Sequence, residues 1–462
     1  MDGSQAVNPF LVGNYAPVHD EQDAELTVVG ELPKELAGAL YRNGPNPQFE
    51  PRGDHHWFAG DGMIHAFFIE EGRVRYRNRY IRTPKWRQEN AAGRSLFGVF
   101  GNPLTTDPSV LGQDSGVANT NIVWHAGKLM ALEEGHPPTE LDPVTLDTVG
   151  YAKGYRGNVT AHPKIDPATG EMPWFAYMSG STPLNATVSY GITDATGAVV
   201  RRDDFEAPYC SMVHDFMVTS GHVMFPILPL TGSLERAMQG APAFAWEPEK
   251  GAYVGVMARA AEVSSLRWFE TDPCYMFHPM NAWEEGSTLY ADVMEFPEAP
   301  LFPHVDGSRT RNARARLTRW TLDLAGASNA IKKEVLDERF GEFPRFDERR
   351  AGLAYRHGWF AASTGRNGDF GFDSIAEVDH ATGRRRHFAL PDGDSVGEPI
   401  FVPRSADAPE GEGWVLAVVY RGQSDASDLL IFDAGDIEAG PIATARTPRR
   451  VPFGFHGNWR QS

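Results

Sequence analysis

Apolar and polar positions alternate along most of this chain in runs of five to nine residues. Examples are HAFFIEEGRVRYRNRYIR (65–82), NIVWHAGKLMALEEG (121–135), STLYADVMEF (287–296), RLTRWTLDL (316–324) and SDLLIFDAGDI (427–437). A period of two marks half-buried strands. Glu71-Gly72 and Ala126-Gly127 interrupt two of these runs where a tight hairpin turn is expected. The segments ELDPVTLDTVG (140–150), VDHATGRRRHF (378–388) and FDAGDIEAGPIATAR (432–446) repeat one device, in which a strand ends, an aspartate-centred turn follows and a new strand begins. Repetition of kind without repetition of identity suggests a propeller rather than a sandwich. Helical periodicity is confined to GSLERAMQG (232–240) and parts of PKWRQENAAGRSLFG (84–98). No Gly-, Ser- or Pro-rich linker divides the chain, so residues 1–462 are read as a single all-β domain.

Composition supports that reading: 47 glycines, 34 prolines and 11% aromatic residues suit many short strands joined by tight turns. The net charge of −18, with no basic block, argues against a nucleic-acid partner. No apolar stretch approaches the ~20 residues needed to span a membrane, and MDGSQAVNPF lacks the layout of a signal peptide. Cys210 and Cys274 alone suggest a reducing, cytoplasmic setting, with both thiols as small core hydrophobes.

Candidate chemistry centres on histidine. Of 15, four stand beside small or aromatic residues near the ends of apolar runs: His162 in TAHPK, His214 in MVHDF, His278 in MFHPMNAWEE and His456 in GFHGNW. A histidine taken alone is more often a satisfied core or surface residue than a ligand. Gaps of 52, 64 and 178 residues mean that only a fold converging on one axis could bring these four together. Four neutral imidazoles without cysteine suit a borderline metal such as Fe(II) and leave coordination positions open.

Nine motifs carry a further signal: YRNGPNPQF (41–49), WFAGDGMIH (57–65), VANTNI (117–122), TAHPKIDP (160–167), VHDF (213–216), HPMNAWEEG (278–286), GEFPRFDERRAG (341–352), EPIFVPR (398–404) and FHGNW (455–459). In this order, across nearly the whole chain, they resemble the carotenoid cleavage oxygenases, including the bacterial branch that cleaves stilbenes and phenylpropenes such as isoeugenol. The resemblance implies a seven-bladed β-propeller with loops and short helices forming a dome over one face. It implies one Fe(II) per chain, held on the axis by His162, His214, His278 and His456, with dioxygen as co-substrate. It also implies that Glu134, Glu342 and Glu398 orient three of the histidines, as a carboxylate accepting the distal ring N–H would. Thr120 matches a position whose methyl crowds one vacant site on the iron. The implied reaction splits a conjugated C=C bond into two carbonyl products, the alkene supplying all four electrons.

The substrate reading rests on two departures. Stilbene and isoeugenol cleavers carry a tyrosine and a lysine that hold the phenolic hydroxyl, and Phe100 and Glu133 stand in the corresponding places here. Phenylalanine cannot hydrogen-bond a phenol, and a glutamate can accept one hydrogen bond but its charge would repel a developing phenolate. These substitutions favour a carotenoid or apocarotenoid, with a stilbene or phenylpropene as the alternative. Trp86, Phe97, Phe100, Glu133, Phe277, Phe296 and Phe302 are the candidate pocket residues. The run FPILPLTGSL (225–234) reads equally as an apolar patch for peripheral membrane contact and as a buried strand and turn, and the chain is expected to be a monomer or dimer. Two rival classes are a non-catalytic propeller scaffold, which gives no reason for four histidines to meet, and a propeller hydrolase using Ca²⁺ or Zn²⁺. Calcium would need oxygen ligands, and catalytic zinc usually takes three protein ligands plus water.

Overall fold

The computed structural model describes residues 8–102, 105–310, 314–367 and 371–462. Its strands are short and antiparallel, and they fall into blades of mostly three to five strands arranged around one axis. The hairpin Gly62–Glu70 and Arg73–Tyr80 turns at Glu71 and Gly72, with φ of 49° and 73°. These left-handed values at both central residues match the twist of the flanking strands. The hairpin is completed by Gly38–Pro45 and Asp23–Glu25. The next two blades are Asn121–His125 through Thr148–Tyr151, and Met172–Tyr177 through Val199–Glu206. In the second of these, residues 160–164 run along the inner edge, with Thr160 and Lys164 N–H donating to Phe175 and Pro173 carbonyls. A fourth blade spans Met217–Val218, His222–Ile227, Ala252–Ala258 and Arg267–Thr271.

One seven-stranded sheet, Tyr275–Glu285 through Arg385–Ala389, is two blades sharing a strand. Lys332–Phe346 pairs with Arg316–Asp323 chiefly through Lys332–Val335, and with His357–Ser363 through Phe340–Phe346. Its first half is thus the outer strand of the fifth blade and its second half the inner strand of the sixth. The seventh holds Ile400–Pro403, Gly413–Arg421, Ala426–Asp433 and Ala443–Arg446, with Thr27–Gly30 at its edge. The ring closes twice, by that N-terminal strand and by Gly457–Gln461, which pairs with Gly38–Pro45 of the first blade. Seven blades match the expected β-propeller.

Both expected helices form. Pro84–Ala92 is capped by Thr83, whose side chain accepts the Trp86 N–H, and ends at left-handed Gly93. Leu234–Met238 starts at Ser233, whose side chain accepts the Arg236 N–H. These helices and the loops around them form the cover over one face. The run 225–234 does not supply an apolar surface: Phe225, Ile227 and Leu230 are fully buried and Leu228 nearly so. It forms the blade strand His222–Ile227 and the turn after it, and only Leu234 at its end is well exposed. Among the described residues no helix is long and apolar enough to cross a membrane. Cys274 is buried, Cys210 is half-buried, and both are free thiols.

Candidate metal centre and its cavity

Each blade sends one residue to the axis from or beside its innermost strand. Thr120 precedes Asn121–His125, His162 lies in the edge segment 160–164, and His214 precedes Met217–Val218. His278 sits within Tyr275–Glu285 and Glu342 in the second half of Lys332–Phe346. Glu398 precedes Ile400–Pro403, and His456 precedes the closing strand Gly457–Gln461. Two of these positions are irregular: the ladder shifts register on both sides of Pro279, beside His278, and again between Glu342 and Arg345. Such bulges re-aim a side chain that regular pairing would point elsewhere. Phe343, inside the second bulge, has a φ of 56°.

The four histidines are buried, and one ligand nitrogen from each lies within 4.8 Å of the others. His214 Nε2 stands 3.0 Å from both His162 Nε2 and His278 Nε2. Burial pushes the His162 and His278 rings well below their ordinary range, and the neighbouring imidazoles add to it. His456 is also pulled down by burial, although Glu398 opposes the shift. Burial therefore favours the neutral rings of His162, His278 and His456, with lone pairs free for a metal.

Three carboxylates brace this set from behind. His214 Nδ1 contacts Glu134 Oε1, and Tyr177 donates its hydroxyl to the other Glu134 oxygen. His278 Nδ1 is 2.5 Å from Glu342 Oε2, and His456 Nδ1 is 2.9 Å from Glu398 Oε1. The two buried glutamates differ. Burial raises Glu342 well above the usual carboxylate range, against the Phe343 N–H that it accepts. Burial also works against Glu398, but Arg345, His456 and Arg42 outweigh it and hold that carboxyl at about 2. A cation at the histidine Nε2 atoms would select the Nδ1–H tautomers and favour ionised carboxylates behind them.

His162 lacks such a glutamate. Its Nδ1 is 3.7 Å from Asp215 Oδ2, while Asp215 Oδ1 is paired with Lys164 Nζ at 2.7 Å. Burial lifts the Asp215 carboxyl to about 6 against the pull of Lys164. Asp215, in the motif VHDF, was not among the residues singled out in the sequence, because nothing local to that motif points it at His162, 53 residues upstream.

A cavity of about 560 Å³ opens on the histidines from the covered side. Thr120, Phe100, Glu133, Glu134, Glu342 and Phe277 line it together with His214, His278 and His456. Other expected wall residues lie elsewhere. Trp86 faces an outer surface groove with Tyr80 and Arg82, because its helix packs on the outside of the cover. Phe97 is buried in a small cluster with Leu96 and Val110, near Lys85. Phe296 is a core residue packed edge-on against Phe277, and Phe302 stands behind the wall against His56, Phe58, Phe100 and Phe244. Sequence reasoning missed Phe58, Phe244, Phe343 and Phe455, which do line the cavity. Three of them fall in the quoted motifs WFAGDGMIH, GEFPRFDERRAG and FHGNW, so proximity to motif residues was the available signal. A second cavity of about 520 Å³ reaches His162, His278 and His456 along the propeller channel, between charged residues that include Lys164, Asp215, Arg345 and Glu398.

Comparison with known proteins agrees with this geometry. Residues 15–461 match the family profile of retinal pigment epithelial membrane protein. An isoeugenol monooxygenase from Pseudomonas nitroreducens is 40% identical, over 98% of both chains. The crystal structure of Pseudomonas brassicacearum lignostilbene dioxygenase superposes with a TM-score of 0.95 at 33% identity, covering 99% of each chain. A cobalt-substituted Synechocystis ACO superposes at 0.86 and 29% identity, covering 97% of this chain and 98% of that one. These likenesses weigh towards the phenylpropene and stilbene branch and against the carotenoid preference that Phe100 and Glu133 suggested.

Proposed function

Because this chain belongs to the carotenoid cleavage oxygenase family of alkene-cleaving dioxygenases, we propose that it is an Fe(II) enzyme cleaving the C=C bond of a stilbene or phenylpropene into two aldehydes. The observation that carries this reading is an aromatic-walled cavity that ends on His214, His278 and His456, three of the four histidines whose ligand nitrogens converge. Its volume lies in the range that encloses a drug-sized ligand. Phe58, Phe100, Phe244 and Phe277 offer faces and edges to a flat conjugated molecule.

Four buried histidines, with no cysteine or carboxylate in the ligand set, would suit ferrous iron and leave coordination positions open. When bound, ferrous iron supplies dioxygen activation beside the alkene. The chain's own residues do the rest. His162, His214, His278 and His456 would hold the ion without adding charge, and Glu134, Glu342 and Glu398 keep three rings oriented. Thr120 has its hydroxyl on Asn119 Oδ1 at 3.0 Å, so it offers no spare donor to the cavity and serves to crowd one side of the metal. The aromatic wall excludes water from the reacting carbons. Both atoms of one O₂ enter the two carbonyls, so the electrons balance without a reductant and no protein acid or base is required.

Oxygen uptake by the Fe(II)-loaded protein tests this, with isoeugenol, resveratrol and a long apocarotenal as substrates. One O₂ consumed per alkene is expected for a phenolic substrate, with label from isotopic dioxygen in both aldehydes. Cleavage of the apocarotenal alone would restore the carotenoid reading. Iron-loaded protein inert towards all three would refute both.

A further inference from the structure

Among the described residues, three carboxylates line the cavity that opens on the histidines, Glu133, Glu134 and Glu342, and no lysine or arginine does. Glu134 and Glu342 are committed to His214 and His278. Glu133 is committed to no ligand. Its Oε1 accepts the backbone N–H groups of Val117 and Ala118 at 2.8 and 3.2 Å. His136 Nδ1 approaches the same oxygen to 3.1 Å, off the axis of a hydrogen bond, and His136 Nε2 lies 3.6 Å from Asp114 Oδ1. Asp114 in turn accepts the Tyr151 hydroxyl at 2.9 and 2.8 Å. These contacts fix the Glu133 side chain and supply its charge with donors on one side only. Its Oε2 has no hydrogen-bond partner among the described residues. Phe58, Phe100 and Phe244 line the same cavity, with Phe100 and Phe244 stacked at 6.2 Å.

A braced carboxylate with one unused oxygen is an acceptor without a donor, and burying it unpaired is costly. We propose that Glu133 Oε2 accepts a hydrogen bond from a substrate hydroxyl that stays protonated, so that the cavity selects neutral, hydroxyl-bearing aryl alkenes and rejects those carrying a carboxylate. Such an alkene would rest its rings on the aromatic wall and donate its O–H to Glu133. An anionic one would bring its charge up to the Glu133 carboxylate, with no lysine or arginine among the described lining residues to offset it. The inference takes its aryl-alkene scaffold from the proposed function, but it concerns binding and not bond cleavage.

Equilibrium titration of the purified protein under nitrogen separates the two. The probes are trans-4-hydroxystilbene, its 4-methoxy ether and stilbene-4-carboxylate, followed by stilbene fluorescence. The hydroxystilbene is expected to bind roughly tenfold or more tighter than the ether, and the carboxylate weakest. Glu133→Gln, nearly isosteric and able to keep the Val117 and Ala118 contacts, is expected to bring hydroxyl and ether within about threefold and to improve carboxylate binding. Equal wild-type binding of hydroxyl and ether, a preference unchanged in a folded Glu133→Gln protein, or no binding of any probe would each overturn the proposal. Oxygen uptake by the same samples reads the cleavage chemistry separately. Bound stilbenes that give no aldehyde would sink the oxygenase reading and leave this one standing.

Discussion

At the scale of single residues, the four histidines are not equally braced, and that inequality is testable. His278 has Glu342 at 2.5 Å and His456 has Glu398 at 2.9 Å, whereas His162 has only Asp215 at 3.7 Å, already paired with Lys164. Glu342→Gln is expected to weaken iron binding by roughly 10- to 100-fold, the usual effect of losing a carboxylate behind a ligand. Asp215→Asn should weaken it less and should lower the melting temperature, because Lys164 loses its partner. Competition with a chromophoric chelator would measure both, and equal losses of affinity would refute the ranking. Acid sensitivity has a residue-scale source away from the metal. His65 is buried, with Nδ1 2.7 Å from the Tyr76 hydroxyl, and burial, aided by nearby Arg42, pushes it down to about 3. The unfolded chain takes up a proton near pH 6.5 and the folded one does not. This contribution to stability is therefore complete above about pH 6.5 and is lost as pH falls towards the folded value, at up to about 1.4 kcal/mol per pH unit. Melting temperatures from pH 7 to 4.5 should fall less steeply in His65→Gln than in the wild type. Histidines in distinctive motifs were legible because the motif carries the role. Trp86 and Phe97 were misplaced because closeness in sequence to SLFGVFG says nothing about which layer of the cover a ring occupies.

At the scale of elements, the aspartate-centred turn proved to be a structural unit. Asp142, Asp194, Asp323, Asp379 and Asp433 each accept backbone N–H groups just ahead and turn the third strand of a blade into the fourth. Such a turn is local, so it can be read from sequence, and it marked the repeat in three blades before any strand pairing was known. The strand shared by two blades was not legible. Lys332–Phe346 reads as one continuous run, and its change of partner depends on pairings made far away in the chain. The change of partner also sets a packing constraint. A Cβ on Gly341, at the handover, would lie 2.4 Å from the Phe360 ring and 2.6 Å from the Ala361 carbonyl oxygen. Gly341→Ala is expected to cost about 1–3 kcal/mol by overpacking. It should also reduce bound iron, since Glu342 is the next residue. Thermal melting with metal analysis checks this, and a destabilised variant with full iron content would show that Glu342 is positioned independently of the handover.

At the scale of the whole molecule, the histidine cluster lies where the ring is joined. His162, His214, His278 and His456 come from four of the seven blades, so one ion would tie together segments that share no strand ladder. The ligand nearest the seam is His456. The strand after it pairs with Gly38–Pro45, Gly457 N–H donates to Glu398 Oε2 at 2.8 Å, and Asn458 Nδ2 donates to the Ile122 carbonyl at 2.6 Å. Arg345 reaches across from the sixth blade to the Gly457 carbonyl and Asn458 Oδ1 at 2.8 and 2.7 Å. Closure of the ring and placement of His456 are thus one event, and a ligand that binds only the closed ring must stabilise it. With free metal about a thousandfold above its dissociation constant, that stabilisation is roughly 4 kcal/mol. Chelation should therefore lower the melting temperature of the intact protein and do so in proportion to the logarithm of free metal. Removing residues 457–462 should abolish the metal-dependent part of the shift, because His456 is no longer held against Glu398. Asn458→Ala, which cuts one link of the seam and leaves the strand, should reduce it in a protein certain to be long enough to close. A truncated protein that still gained its full stability from iron would mean that three histidines suffice to pin the blades, with the fourth serving only to complete the chemistry.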